Sequence, residues 1–441
     1  MLLRTITLGC KVNQYETEYL REGLARLGYC DAQVDQRADL CLVNTCSVTV
    51  EGEAKSRKLI RHLARHNPGA EIVVMGCYAS RSPGEVAGLS GVAEVIADKR
   101  QLPEWLARRG LLDVPEGIST FGRRHRAYVK IQDGCRAGCS YCIIPRVRPV
   151  LWSRPADDVL AEIGRLAGHG HREIVLTGIH LGHYGRDRQD GWDLARLVRQ
   201  IARLEGEFRL RLSSLEAGEA THELIAAMAG HAERICPHLH IPLQSGSDAV
   251  LRRMGRRWPT GRLVRRCRRI QAALDQPALT TDVMVGFPGE TEEDFAATCR
   301  AVEAVGFSKL HVFRFSPRPG TPAARMPNRV PDEVQQRRAA ELARLGQQLR
   351  QRYFEGLAGR TLQVLVEREK GEKSNFSQPP GDFLAQVGPL PPLSPVAAGL
   401  LLGTADRYAP VELAGQRALV GRLVRVVAGP VVGGSVRATA V

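Results

Sequence analysis

Three cysteines lie within eight residues, in the segment Cys135-Arg136-Ala137-Gly138-Cys139-Ser140-Tyr141-Cys142. Thiolates are the usual ligands of iron–sulfur clusters, whereas a structural zinc site normally needs four ligands in two pairs. Three thiolates on one loop can hold three corners of a four-iron cluster and leave the fourth iron open to a second molecule. The spacing therefore predicts an iron–sulfur site on Cys135, Cys139 and Cys142. A zinc site or three unrelated core thiols are the alternatives.

A second set of three cysteines follows predicted strands near the N-terminus. The apolar runs at residues 3–8, 40–43 and 72–75 are followed shortly by Cys10, Cys46 and Cys77. In a parallel sheet the carboxyl ends of the strands meet at one edge, so these cysteines are expected to converge and to hold a second cluster. Cys41 begins its strand and is expected at the opposite edge. Because single buried cysteines are common, a coincidence of unrelated thiols is the alternative.

The cysteines can converge only if the fold brings the ends of their strands together. The sequence pattern predicts such a fold, an α/β protein of three domains. Strands alternate with helices in residues 1–115, as in a doubly wound parallel sheet. Residues 123–355 predict a partial (β/α)6 barrel, whose first strand leads directly into the Cys135 segment. Residues 356–441 predict a small antiparallel β domain with a proline-rich insertion at 371–399. The six barrel strands are predicted at residues 128–132, 173–177, 208–212, 239–243, 280–285 and 310–315.

Composition restricts the partners. The 441 residues carry 62 Lys plus Arg against 47 Asp plus Glu, a net charge of +15 that favours a polyanion such as nucleic acid. Arginine enrichment through genome composition is the alternative. No apolar run is long enough to span a membrane and no secretory signal opens the chain, so a cytoplasmic protein is expected. In that compartment the eleven cysteines are expected to be metal ligands or free thiols rather than disulfides.

The C-x3-C-x2-C spacing, with Tyr141 before the last cysteine, resembles the radical S-adenosylmethionine (SAM) enzymes. The resemblance implies that the open iron chelates SAM and that one electron cleaves it to a deoxyadenosyl radical. It also implies a cofactor pocket built by residues at the strand ends. These residues are Tyr141, Thr177, Gly178, Ser213, Glu216, Gln244 and Gly286.

Three N-terminal motifs are similar to those of the methylthiotransferases: Leu8-Gly9-Cys10-Lys11-Val12-Asn13-Gln14-Tyr15-Glu16, Asn44-Thr45-Cys46-Ser47 and Gly76-Cys77-Tyr78-Ala79. The Lys-Val-Asn-Gln-Tyr-Glu run resembles that of the branch that acts on threonylcarbamoyladenosine in tRNA. That branch converts N6-threonylcarbamoyladenosine at position 37 to its 2-methylthio derivative, using two 4Fe-4S clusters and SAM. The alternatives are the isopentenyladenosine-37 branch, the branch modifying a ribosomal-protein aspartate, or a non-catalytic iron–sulfur protein that binds RNA or transfers electrons.

The expected partners are the anticodon loop of tRNA and an external electron donor, with the chain as a monomer. Candidate RNA-binding residues are the arginines after the Cys135 segment and those on one face of a predicted helix; they are Arg146, Arg148, Arg154, Arg262, Arg265, Arg266 and Arg269. The first three are also candidates for SAM contact. The tail resembles the RNA-binding TRAM domain, although aromatic residues for base stacking are few, chiefly Phe376, Phe383 and Tyr408.

Overall fold

The computed structural model of the chain describes residues 1–122, 124–372 and 399–441. Three sheet systems follow one another along the sequence, so the predicted α/β fold class is confirmed. Within the described ranges, no helix has both the length and the hydropathy that a membrane span requires.

The N-terminal sheet has five parallel strands in the order β2-β1-β3-β4-β5. Its central strand, with the sequence LCLVNT, is buried at every position, because helices cover both faces of a doubly wound sheet. The elements are β1 Leu2–Thr7, α1 Lys11–Arg26, β2 Cys30–Asp31, β3 Leu40–Thr45, α2 Val50–His66, β4 Glu71–Gly76, α3 Cys77–Arg81, α4 Pro83–Ala87, β5 Val92–Ile96 and α5 Leu102–Arg108.

Six parallel strands form the central partial barrel. Two three-stranded groups, β6-β8-β9 and β10-β11-β12, are joined by single bridges from Leu210 to Ile235 and from Ser214 to His240. A short antiparallel strand, β7, borders β6. The elements are β6 Arg126–Asp133, α6 Ile144–Val147, β7 Trp152–Ser153, α7 Ala156–Gly168, β8 Glu173–Gly178, α8 Leu194–Ala202, β9 Arg209–Leu212, α9 His222–Gly230, β10 His238–His240, α10 Asp248–Arg253, α11 Thr260–Ala273, β11 Ala278–Val285, α12 Glu292–Val305, β12 Lys309–Arg314 and α13 Asp332–Glu355.

The C-terminal strands close into a small barrel in the order β13-β14-β15-β17-β16. All its pairs are antiparallel except β15 with β17, and the barrel has an apolar core of its own. Its strands are β13 Thr361–Glu369, β14 Gly399–Ala405, β15 Pro410–Gly415, β16 Leu423–Val432 and β17 Ser435–Ala440. The proline-rich insertion predicted at 371–399 lies, apart from its ends, outside the described residues, as do Phe376 and Phe383.

The small barrel is joined to the central barrel by buried arginines. Arg209 donates to the carbonyls of Gln363 at 2.5 Å and Thr404 at 2.8 Å, and Arg211 donates to the carbonyl of Asp406 at 2.9 Å. Both arginines also pair with the buried carboxylate of Glu173. A guanidinium with several donors suits such a site, because it can satisfy a carboxylate and carbonyl oxygens together.

Tyr408 takes part in the same junction. Its ring stacks on that of His238 with centroids 5.0 Å apart, and the guanidinium of Arg211 lies 4.8 Å from its centre. The ring therefore takes part in the contact between the two barrels, and 36% of the residue stays exposed.

Candidate active site

The Cys135 segment leaves β6 at the carboxyl edge of the barrel. Gly134 has φ +81°, and a Cβ on it would lie 1.9 Å from the carbonyl oxygen of Val150, so only glycine fits this turn. Backbone bonds then fix the loop: the Cys135 N–H donates to Arg148 O at 3.1 Å and the Ser140 N–H to Met254 O at 2.9 Å. The three thiols of the first trio, Cys135, Cys139 and Cys142, are thus carried by a loop anchored on both sides.

The second trio lies at the carboxyl edge of the N-terminal sheet. Cys46 and Cys77 directly follow β3 and β4, and Cys10 caps the N-terminus of α1, shortly after β1. A Cβ on Gly9 would lie 3.1 Å from the Cys46 Sγ, so the loop carrying Cys10 approaches Cys46 closely. Burial raises the pKa of Cys46, and the thiols of Cys77 and Cys10 raise it further. The three strand ends therefore bring these thiols into one electrostatic neighbourhood.

One member of the second trio, Cys77, lies beside the segment that follows the first trio. Cys77 packs into a small apolar cluster with Ile143 and Val147, which follow the last cysteine of the first trio. Burial raises the pKa of Cys142 to about 12, and the thiols of Cys139, Cys135 and Cys77 contribute to the rise. A member of the second trio is therefore close enough to act electrostatically on the first.

The spacing of the thiols bears on the metal they could hold. A tetrahedral zinc site with Zn–S bonds of about 2.3 Å brings its sulfur atoms to about 3.8 Å from one another. Among the described residues, the one group of three ligand atoms within 4.8 Å of one another is His180, His183 and Glu219, and neither cysteine trio is such a group. Three thiolates without a fourth ligand suit a multi-iron cluster with one open iron better than a closed zinc site, which needs four ligands.

One group beside the first trio was missed in the sequence. His180, His183 and Glu219 have ligand atoms within 4.8 Å of one another, and Glu219 Oε1 lies 2.6 Å from His180 Nε2. The Nδ1 of His180 is 3.5 Å from the Cys135 Sγ. Burial lowers the pKa of His180, but Cys135 and Glu219 outweigh it and raise the pKa to about 9. The group thus belongs to the surroundings of the cysteine loop, and its position just beyond β8 and β9 is the signal that could have found it.

The residues predicted to contact SAM lie beyond or at the end of successive barrel strands, at the edge that carries the first trio. Thr177 and Gly178 end β8, and a Cβ on Gly178 would lie 3.1 Å from the side chain of Gln132. Ser213, just after β9, has a buried hydroxyl with no hydrogen-bond partner among the described residues. Such an unpaired group at a pocket wall is suited to a ligand.

Two further predicted pocket residues, Glu216 and Tyr141, contact neighbouring loops of the barrel. Glu216 receives two hydrogen bonds from Arg256, at 2.7 and 2.6 Å. Burial raises the pKa of the neighbouring Cys139, and Arg256 opposes the rise. Tyr141 packs edge-on against Phe287 with ring centroids 6.5 Å apart. The ion pair between Arg256 and Glu216 lies beside the first trio, and no local pattern in the sequence indicates it.

The two other predicted pocket residues have left-handed backbones. Gln244 has φ +64°, and its N–H donates to Asp282 O at 2.8 Å. Gly286 has φ +75°, and its N–H donates to the Glu290 carboxylate at 2.7 Å. Both residues lie where the chain turns away from strands at the carboxyl edge.

Two of the predicted RNA-binding arginines are buried, which argues against a role in phosphate binding. Arg148 donates to Glu16 and Asp133, and Arg154 is ion-paired with the buried carboxylate of Glu162. Both residues are only 4% exposed and their guanidinium groups are already paired with carboxylates, so an RNA phosphate or SAM would compete with these pairs. Arg146 is exposed, and with Arg148 it lines a cavity of about 700 Å³ at the domain junction.

The helical arginines lie on α11 as predicted. Arg262, Arg265 and Arg269 are exposed, whereas Arg266 is half-buried and donates to the Ala220 carbonyl at 3.2 Å. The guanidinium of Arg262 also lies 4.0 Å from the centre of the Trp258 ring. Three of the four arginines are therefore available to a polyanion.

Comparisons with known proteins agree with this arrangement. The chain matches the radical SAM superfamily over residues 129–302 and an uncharacterized protein family, UPF0004, over residues 3–98. It is 36% identical over 441 residues to the threonylcarbamoyladenosine tRNA methylthiotransferase MtaB of Bacillus subtilis, covering 95% of this chain and 92% of that protein. It is 39% identical over 380 residues to MtaB of Thermotoga maritima, covering 83% of this chain and 86% of that protein.

A relative with another substrate in its name is also similar. The tRNA-2-methylthio-N(6)-dimethylallyladenosine synthase of Acidothermus cellulolyticus is 35% identical over 386 residues, covering 83% of this chain and 78% of that protein. Among solved structures, the radical SAM methyltransferase TsrM of Kitasatospora setae, with cobalamin and a [4Fe-4S] cluster bound, superposes with a TM-score of 0.53 at 17% identity. That match covers 73% of this chain and 77% of TsrM, and it supports the fold alone.

Proposed function

The chain belongs to the radical SAM methylthiotransferases, and we propose that it converts N6-threonylcarbamoyladenosine at position 37 of tRNA to the 2-methylthio derivative. Its cofactors are SAM and [4Fe-4S] clusters. The relatives named for threonylcarbamoyladenosine support this substrate, and the Lys11-Val12-Asn13-Gln14-Tyr15-Glu16 run supports the same branch.

The observation that carries the proposal is that Cys77 of the second trio packs beside the segment that directly follows the first trio. Cys77 packs against Ile143 and Val147 of the barrel, and its thiol acts on the pKa of Cys142. A reaction that needs a radical at one cluster and a sulfur atom from another requires both within reach of one carbon atom. We assign Cys135, Cys139 and Cys142 to the SAM-binding cluster and Cys10, Cys46 and Cys77 to the second cluster.

Bound at these sites, the cofactors supply the radical that activates C2 of adenine and the methylated sulfur that replaces its hydrogen. The residues of the chain position and enclose this chemistry. Ile143 and Val147 pack against Cys77, and Arg256 holds Glu216 at the edge where SAM is expected. His180 and Glu219 fix the other side of the Cys135 loop through the 3.5 Å contact from His180 to Cys135.

Two buried arginines keep the domains, and with them the trios, in register. Arg148 joins the barrel to Glu16 of α1, and Arg318, beyond β12, donates to Ser47 at 3.1 Å, directly after Cys46. Arg318 also pairs with Glu53. Both arginines are nearly inaccessible to solvent, so dissolved salt screens their ion pairs only weakly. These ion pairs therefore hold the two domains together firmly.

The basic character of the chain supports an RNA substrate. A base in the anticodon loop is already single-stranded, so turning it into the barrel costs less than opening a duplex. The exposed arginines of α11 and Arg146 would bind the RNA backbone near the barrel. We further propose an external electron donor, a monomeric enzyme in the cytoplasm, and a division into domains at 1–115, 123–355 and 356–441.

Analysis of tRNA nucleosides tests the substrate. Deleting the gene should abolish the methylthio-threonylcarbamoyl nucleoside and leave methylthio-isopentenyl adenosine and the ribosomal-protein aspartate unchanged. Persistence of the threonylcarbamoyl product would reject the proposal. A non-catalytic iron–sulfur protein is distinguished by reduction of the purified protein with SAM, because only the enzyme should form 5′-deoxyadenosine, and Cys139→Ala should abolish it.

A further inference from the structure

The last barrel strand presents one face to the interior of the barrel. Leu310 and Val312 of β12 pack against the core on the side of α13. A Cβ on Gly346 of α13 would lie 3.3 Å from the side chain of Leu310. Because side chains alternate along a strand, Lys309, His311 and Phe313 point the other way, into the barrel.

The neighbouring strands continue this interior surface. In the register of β11 with β12, Thr280 lies opposite Lys309, Asp282 opposite His311 and Met284 opposite Phe313; in that of β10 with β11, His240 lies opposite Thr280. We call His240, Asp282, Lys309, His311 and Phe313 the inner wall.

Polar contacts hold the middle of the inner wall. His240 Nε2 lies 3.3 Å from Asp282 Oδ2, and His240 Nδ1 lies 2.9 Å from Thr280 Oγ1. The rings of His240 and His311 meet edge to face with centroids 5.8 Å apart. Asp282 is thus engaged by a histidine and is not paired with Lys309.

A cation lies at one end of the inner wall and an exposed aromatic ring at the other. Lys309 Nζ is 6.0 Å from the centre of the Tyr408 ring, and no carboxylate lies within 4.0 Å of it among the described residues. Phe313, four residues along the strand and about 13 Å away, is 49% exposed. An exposed aromatic ring in a barrel interior offers a surface on which a base can stack.

A second lysine approaches the wall from the N-terminal domain. Lys11 directly follows Cys10 and begins α1. Burial lowers the pKa of His311 and Lys309 lowers it further, Asp282 opposes the shift, and Lys11 adds the smallest contribution, in the same direction as Lys309. No ion pair of Lys11 occurs within the described ranges. Lys309, which lies on the inner wall itself, and more weakly Lys11 therefore both act on His311.

We propose that Lys309 and Lys11 bind the threonyl carboxylate of the substrate, while Phe313 stacks on its adenine. This inference rests on the proposed function and names the groups that would read its substrate. Phe313 lies nearest the carboxyl edge, where C2 must meet the trios, and the N6 substituent can then run along the wall towards Lys309. An isopentenyl substituent lacks a carboxylate and would leave both lysines without a partner, which disfavours it.

The test compares two anticodon stem-loop RNAs, one with threonylcarbamoyladenosine at position 37 and one with its methyl ester, which has lost the negative charge. With the full-length enzyme carrying both clusters, Lys309→Met should raise the KM and the Kd of the carboxylate RNA at least about tenfold and change those of the ester less than about twofold. Lys11→Met should act in the same direction, with iron content measured to exclude damage at Cys10.

Two control variants sharpen the result. Lys309→Arg keeps the charge and should restore most of the affinity, whereas loss of affinity in this variant as well would overturn the assignment. Lys58→Met removes an exposed charge from α2 and should leave the ratio of the two affinities unchanged. The assignment would also be overturned if Lys309→Met lowered the affinity for both RNAs equally, or lowered neither affinity. Failure of the proposed function is a separate outcome, in which the unaltered enzyme methylthiolates an isopentenyl RNA and neither threonylcarbamoyl RNA.

Discussion

Arg148 donates to both carboxylate oxygens of Glu16, at 2.7 and 2.8 Å, and so joins the barrel to the helix that begins beside Cys10. The same guanidinium donates to Asp133 at 2.9 and 2.8 Å, two residues before Cys135. One buried side chain therefore connects the segments that lead to both trios. Lys130, which is 2.8 Å from Glu16 and 2.5 Å from Asp133, completes the network.

Removing this arginine should destabilise the whole molecule. In Arg148→Met, Glu16 and Asp133 remain buried with Lys130 as their one close cation among the described residues, so we expect the free energy of unfolding to fall by about 3–5 kcal/mol. Chemical denaturation measures the change. The matched control is Arg268→Met, an exposed arginine of α11 that should change the free energy by less than about 0.5 kcal/mol. Equal stability of the two variants would contradict the importance of the network.

The same network predicts how stability depends on pH. Burial raises the pKa of Glu16, but Arg148 and Lys130 outweigh it, and the net shift is downward. The pKa of Asp133 is lowered in the same way by Lys130 and Arg148. Carboxyls with a lowered pKa in the folded state stabilise above their unfolded pKa of about 4 and lose this contribution as the pH falls further.

We therefore expect the contribution of this network to the melting temperature to be nearly constant from about pH 8 to pH 5 and to fall below about pH 4. Glu16→Gln should have a lower melting temperature at pH 7 and a shallower fall in acid, because one of the titrating groups is gone. Scanning calorimetry across this range measures both curves. Parallel curves for the two proteins would show that Glu16 does not carry the acid sensitivity.

The strand ends that carry the cysteines could be predicted because their signals are local. Apolar runs identify β3 and β4, and the residues that follow these strands are Cys46 and Cys77. Because parallel strands end at one edge of a sheet, the sequence predicts that Cys46 and Cys77 lie at the same edge. Cys41 lies at the second position of β3, at the opposite end of that strand from Cys46, as expected.

Pairings over long sequence distances could not be predicted. Arg148 and Glu16 are separated by 132 residues, and nothing in either motif indicates that the two side chains meet in a buried site. Arg148 and Arg154 therefore had the sequence signature of exposed basic residues. Helix α1 begins at Lys11, directly after Cys10, and the side chain of Gln14 in its first turns accepts a hydrogen bond from Arg124, 110 residues away. The two-residue strand β7 was missed because it is defined only by pairing with β6.

The second trio can be tested by removing one thiol. If each trio holds a four-iron cluster, Cys77→Ala should lower the iron content of anaerobically reconstituted protein from about eight to about four atoms per chain. Formation of 5′-deoxyadenosine from SAM should persist, while the methylthio product disappears. Cys236→Ala, which alters another buried cysteine, should retain the full iron content. Full iron content in Cys77→Ala would remove this residue from the ligands.

The exposed arginines of α11 predict a salt-dependent contribution to tRNA binding. Arg262, Arg265 and Arg269 share one helical face, and each phosphate contact adds about 0.7–0.9 to the slope of log Kobs against log salt. Replacing all three by glutamine should therefore lower the slope by about 2 and weaken binding at least tenfold near 0.1 M salt. Fluorescence anisotropy with a labelled anticodon stem-loop measures both quantities. The matched control replaces Arg300, Arg337 and Arg344, exposed on α12 and α13, and removes the same charge from a different surface. An equal loss in the two triple variants would mean that net charge, and not the α11 face, determines the affinity, because a located contact must depend on where the charge is removed.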